Sequence, residues 1–156
     1  FNQHGISKCH LLGFSDGGNV ALLFALKYPD RVERLILNGA NLDPCGVKLK
    51  TQIPIVLGWG LCRLCALFSQ QAKQNWEMLN LMVTQPHIHR AELAGLDMPV
   101  LVVAGEQDMI RESHTQSIAA NIPNSRLVIL PGDHFIARRN WQGFNDTVLE
   151  FLLDRS

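Results

Sequence analysis

Short apolar runs separated by turn signals set the frame of this chain. Residues 9–13 form one such run, and it leads directly into Gly13-Phe14-Ser15-Asp16-Gly17-Gly18, which predicts a strand feeding a tight turn. From residue 19 to residue 28 the letters are mostly Ala, Leu, Phe and Val, and Pro29 then blocks continuation, so a buried helix is expected. Residues 31–38 contain Val32, Leu35, Ile36 and Leu37 and end at Gly39, a second strand and its turn. Beyond Asn41 the pattern changes to Leu, Trp, Cys and Gln as far as about Leu96. Helical spacing at Trp76, Leu79, Asn80 and Val83 predicts a helical insertion over 42–96. Residues 99–104 and 127–130 are continuous apolar runs, suited to parallel strands covered on both faces, with a helical segment over about 113–122 between them. Phe144, Val148, Leu149, Leu152 and Leu153 then mark one face of a closing amphipathic helix. The order βαβ, insertion, βαβα predicts an α/β fold with a doubly wound, mostly parallel sheet, as a single domain over 1–156.

Composition narrows the partners. The 156 residues suffice for one well-buried core, and 47% hydrophobic against 18% charged residues exclude a disordered chain. Fourteen Lys and Arg balance fourteen Asp and Glu, with no basic run to neutralise a line of phosphates, so nucleic acid is not an expected partner. Cys9, Cys45, Cys62 and Cys65 are few for this length, and three lie in apolar surroundings where Cys behaves as a small hydrophobe. A reducing, cytoplasmic setting is the expectation. The most apolar stretch, 53–62, is broken by Pro54, Gly58 and Gly60 and falls short of the roughly 20 residues of a spanning helix. The record opens at Phe1 without an initiator Met or a basic-then-apolar leader, as a processed, trimmed or incomplete N-terminus would.

The chemistry centres on Gly13-x-Ser15-x-Gly17. Between a strand and a helix, this spacing forces the serine into a strained backbone conformation that holds its hydroxyl clear at the carboxyl edge of the sheet. Small residues are expected at both flanking positions because a side chain would crowd the turn. A serine hydroxyl needs a base to take its proton, and a carboxylate to orient that base. Asp108, after the strand at 100–104, and His134, after the strand at 127–130, both emerge at the same sheet edge as Ser15. Asp43, Glu106 and Asp133 are alternative carboxylates. His114 at a helix start and His10 beside the elbow strand read as satisfied core histidines.

The stretch 13–18, followed by Tyr28-Pro29-Asp30-Arg31-Val32, Gly105-Glu106-x-Asp108 and Gly132-Asp133-His134, resembles the α/β-hydrolase family from the elbow to the last helix. The resemblance implies serine hydrolysis through an acyl-enzyme, with Ser15, His134 and Asp108 as nucleophile, base and orienter, and 42–96 as the cap insertion. Ser15-Asp16-Gly17-Gly18 together with Ala40-Asn41 is similar to the biphenyl-hydrolase-like, or valacyclovir-hydrolase, branch, which acts on α-amino acid esters. There the acidic residue after the nucleophile receives the substrate ammonium, a role that would fall to Asp16. The blander reading gives Asp16 only a backbone N–H for the oxyanion, and Phe14 and Asp16 flank Ser15 as the oxyanion or substrate-binding positions. The family's first strands, and the loop that supplies the second oxyanion N–H, have no counterpart in these residues. His4-Gly5 lies too close to the nucleophile to be that loop. An uncovered sheet edge and self-association through it are therefore expected.

Cys62-x-x-Cys65 lacks a second cysteine pair, and His87-x-His89 is a weak complement, so no metal and no cofactor are expected. These cysteines, with Trp59, Trp76, Met78 and Met82, suit the apolar underside of a lid. Two function classes remain: a serine hydrolase of small carboxylic esters or related acyl compounds, and a catalytically silent hydrolase-like binding module or inactive fragment. Acyl transfer, C–C bond hydrolysis and cofactor-free haloperoxidation use the same three residues within the family.

Overall fold

The structure, a computed structural model, describes residues 5–154. Four parallel strands, β1 (Cys9–Phe14), β2 (Val32–Asn38), β3 (Val100–Gly105) and β4 (Ser125–Leu130), lie side by side in chain order. Among the described residues six α-helices connect or follow them: α1 (Asp16–Lys27), α2 (Leu49–Cys65), α3 (Gln70–Thr84), α4 (Glu112–Ala120), α5 (Ile136–Arg139) and α6 (Trp141–Leu153). Helix α1 stops where Pro29 forbids continuation, and the Tyr28 N–H closes its last turn on the Phe24 carbonyl at 2.8 Å.

Alternation along the strands divides the interior in two. Leu35 and Leu37 of β2 and Val100 and Val102 of β3 pack with Leu22 and Ala25 of α1 and Ile118 of α4 on one face. Ile36, Leu101 and Val103 point to the other face and meet Ile136, Phe144, Val148 and Phe151 of α5 and α6. Helices thus cover both faces, as parallel pairing requires. The C-terminal helix is tied down by Arg34, whose guanidinium donates to the Phe151 carbonyl at 3.0 Å and to the Asp154 carbonyl, groups that a helix end leaves without partners.

Two expectations are corrected. Only β3 is buried along its whole length. β4 is an edge strand with Arg126 and Leu127 exposed, because nothing pairs with its outer side among the described residues. β1 is the other edge and leaves Leu12 and Phe14 exposed. The cysteines are also less buried than their apolar neighbours suggest: Cys45 and Cys65 are exposed, because they fall on outward-facing positions. The segment returning from α3 is anchored in the first core cluster through Ile88, Leu93 and Leu96, with the Ile88 N–H on the Leu42 carbonyl at 2.9 Å. No helix among the described residues is long and apolar enough to cross a membrane.

Candidate active site

Ser15 sits between β1 and α1 with φ 53°, a left-handed conformation that side chains other than glycine seldom take. Backbone bonds hold it there. Its N–H donates to the Asn38 carbonyl of the neighbouring strand at 2.8 Å, and its carbonyl accepts from Gly18 N–H at 2.8 Å and Asn19 N–H at 3.1 Å. The turn is tight at Gly13, where a Cβ would stand 2.3 Å from the Gly17 carbonyl oxygen, and at Gly18, where it would stand 3.0 Å from the Ala40 methyl. Gly17 differs from expectation: a Cβ there meets nothing within 4 Å. The crowding falls on the first glycine of the motif and on Gly18, because the helix start folds back over Gly13 while Gly17 faces outward.

The hydroxyl of Ser15 lies 2.9 Å from His134 Nε2, and His134 Nδ1 lies 2.7 Å from Asp108 Oδ1. A carboxylate can only accept, so Nδ1 carries the proton and Nε2 presents its lone pair to the serine O–H. Asp108 is buried at the end of β3, and its Oδ1 also accepts the Ile110 N–H at 2.9 Å, which fixes the carboxylate plane. His134 is buried as well, braced by the Phe14 ring at 4.9 Å and the Phe135 ring at 5.6 Å. Gly39, at φ 63° after β2, leaves the space the imidazole fills; a Cβ there would be 2.8 Å from His134 Cε1. Gly105 does the same where the chain after β3 passes the loop of His134, since a Cβ would be 2.4 Å from the Asp133 carbonyl oxygen.

The other candidates lie elsewhere. Asp43 sits beside His114 rather than His134, Glu106 is exposed, and Asp133 is engaged by the Phe135 N–H at 2.9 Å and by Arg139. His114 is a buried histidine: its Nε2 accepts the Leu42 N–H at 3.0 Å. Burial pushes its pKa below the ordinary 6.5, with Asp43 opposing and Arg90 and Arg111 reinforcing the shift. His10 contradicts the core reading, being exposed on β1 with its Nε2 3.8 Å from Glu33, because its strand is an edge. His4 lies outside the described residues. No group of three or more His, Cys, Asp or Glu suited to a metal occurs among the described residues, and Glu92 accepts the His89 N–H at 2.8 Å in a helix-capping contact.

A narrow cavity of about 30 Å³ opens in front of Ser15, lined by Asp16, Asn41, Gln52, Ile55, Met82 and Met109 among others. Asp16 faces it; Phe14 does not line it and packs on His134 instead. Of the apolar group expected beneath a lid, Met82 lines this cavity, whereas Met78 and Cys65 face outward. Asn19 and Asn41 form a buried amide pair that joins the start of α1 to the loop after β2. Asn19 Nδ2 donates to Asn41 Oδ1 at 3.0 Å, and the Asn41 N–H donates to Asn19 Oδ1 at 2.9 Å. The sequence gives Gly39 only the role of a turn and gives none to Asn19, whose one signal is a polar residue inside an otherwise apolar helix.

A sequence model described as the alpha/beta hydrolase fold matches residues 2–60. The serine hydrolase BPHL of Homo sapiens is 28% identical over 93% of this chain and 55% of its own length. A solved hydrolase of Pseudomonas aeruginosa superimposes with a TM-score of 0.71 at 26% identity, covering 98% of this chain and 68% of that one. The chain is similar to α/β-hydrolases, and its parallel sheet covered by helices has their fold. The chain spans about half the length of the human relative it matches. A 2-hydroxy-6-oxononadienedioate/2-hydroxy-6-oxononatrienedioate hydrolase of Escherichia coli K12 is 37% identical over 50% of this chain and 25% of its own length.

Proposed function

We propose that this chain carries the acyl-transfer centre of a serine hydrolase of the α/β-hydrolase type that cleaves small carboxylic esters or related acyl compounds. The observation that carries the reading is the unbroken hydrogen-bond chain Ser15–His134–Asp108 beside a cavity. Ser15 Oγ attacks the acyl carbon as His134 Nε2 takes its proton; His134 then delivers that proton to the leaving oxygen. Water, deprotonated by the same nitrogen, attacks the acyl-enzyme and releases the acid. Asp108 holds the productive tautomer and stabilises the imidazolium that forms. At the helix start the Asp16 N–H has no intrahelical acceptor, so it is free to face the developing oxyanion. The helical pair α2–α3 acts as the cap, and a cavity of this size requires the cap to move for an acyl substrate to bind.

Within this reading the Asp16 carboxylate, exposed at the cavity wall, receives the ammonium of an α-amino acid ester. The similarity to the serine hydrolase BPHL over 93% of this chain supports a serine hydrolase reading of this site. Hydrolysis of p-nitrophenyl acetate tests the centre: Ser15→Ala and His134→Ala should each fall to the uncatalysed rate, and retained turnover in Ser15→Ala would contradict it. An amino acid ester and its N-acetyl analogue test Asp16, whose role would be lost if the two were cleaved equally fast.

A further inference from the structure

Helix α2 is apolar on two sides. One side packs on α3, where Gly58 lies 3.7 Å, by a Cβ, from Leu79 and the Trp59 N–H donates to Asn80 Oδ1 at 3.0 Å. The other side carries Leu49, Ile53, Leu57, Leu61 and Leu64 and continues into Phe68 of the following turn, and these six are 56–91% exposed. At 3.6 residues per turn they form one stripe along a helix of 17 residues, about 25 Å long. Apolar patches of that extent on a globular surface mark a place of contact. Charge specifies the occupant. Residues 44–76 contain Lys48, Lys50, Arg63 and Lys73 and not one Asp or Glu, in a chain whose overall charge is zero. Lys50 and Arg63 fall at the two margins of the stripe, and Arg63 lies over the Trp59 ring at 5.6 Å.

We propose that the outer face of α2 docks flat on an anionic lipid bilayer, with the leucine stripe in the acyl boundary and Lys50 and Arg63 at the phosphate level. Long cationic side chains place an apolar stem in the interface and a charge among the headgroups, the arrangement of an interfacial amphipathic helix. Helix α2 is too short to span a bilayer, so the contact is peripheral. An apolar groove on this face, lined by Ile53, Val56 and Leu57, shares Gln52 with the cavity in front of Ser15, so the docked surface adjoins the nucleophile. The docking itself is independent of the proposed reaction.

Co-sedimentation with vesicles of phosphatidylcholine alone and of phosphatidylcholine mixed with phosphatidylserine tests the proposal. The chain should partition onto the mixed vesicles and release at high salt. Lys50→Gln with Arg63→Gln should weaken that partition roughly 30-fold, the effect of two cations at an anionic surface. Leu57→Glu with Leu61→Glu should abolish it while leaving the circular dichroism spectrum and melting temperature near wild type, since both positions are solvent-exposed. Equal partition on the two vesicle types, or none on the mixed ones, would overturn the proposal. So would a dimer in sedimentation equilibrium that the two leucine substitutions convert to monomer without any vesicle binding, which would make the stripe an interface between copies.

Discussion

Gly39 and Gly17 separate two meanings of a glycine beside the proposed nucleophile, Ser15. Gly39 combines φ 63° with a Cβ direction that ends 2.8 Å from the His134 ring, so Gly39→Ala must strain the turn and push the imidazole off Ser15. A loss of about 1–3 kcal/mol in stability is expected from denaturant melts, with a larger loss in turnover. Gly17 lies in α1 with open space around it, and Gly17→Ala should be neutral or stabilising by up to about 1 kcal/mol. Asp108 and Asp43 separate in the same way. Asp108→Asn should lower kcat about 10⁴-fold by stabilising the wrong imidazole tautomer, whereas Asp43→Asn, beside His114, should leave kcat near wild type. Ser15, Asp108 and His134 were legible because each follows an apolar run at a strand end, and parallel strands bring their carboxyl ends to one edge. Gly39 was legible only as a turn residue, since its contact with His134 joins segments 95 positions apart (134 − 39 = 95).

Among the elements, α1 is joined to the loop after β2 by the Asn19–Asn41 amides. Asn19→Ala strands the Asn41 N–H and Oδ1 in the interior and should cost about 1–3 kcal/mol. His114 ties α4 to the same loop. Its folded pKa is below 6.5, so the unfolded chain binds the proton more readily; its stabilisation is complete above about pH 6.5 and is lost as pH falls toward the folded value. The melting temperature should therefore drop between about pH 7.5 and about pH 5.5, and His114→Gln, which keeps an acceptor for the Leu42 N–H, should flatten that drop. Strands and helices were readable from their periodicity. The exposure of β4 and His10 was not, because an apolar run carries no record of whether a neighbour covers it.

At the scale of the whole molecule, four strands in a parallel sheet were recoverable from the alternation of strands and helices, with the helical stretch 42–96 interrupting it at one place, whereas their side-by-side order was not. What a single sequence does not contain is the surroundings of the two edges. Among the described residues β1 is an edge strand whose outer backbone groups meet no partner strand, and it leaves Leu12 and Phe14 at 50% and 37% exposure. We propose that these residues can self-associate through that edge, and Leu12→Lys should then reduce association in sedimentation velocity. The central proposal concerns the electronic state of one oxygen, that His134 and Asp108 make Ser15 Oγ a nucleophile. Reaction with a fluorophosphonate, followed by peptide mass mapping, measures this directly. The adduct should form on Ser15 alone, and His134→Ala should slow its formation by orders of magnitude while the fold is retained. Labelling of other serines at the same rate, or undiminished labelling in His134→Ala, would contradict the account.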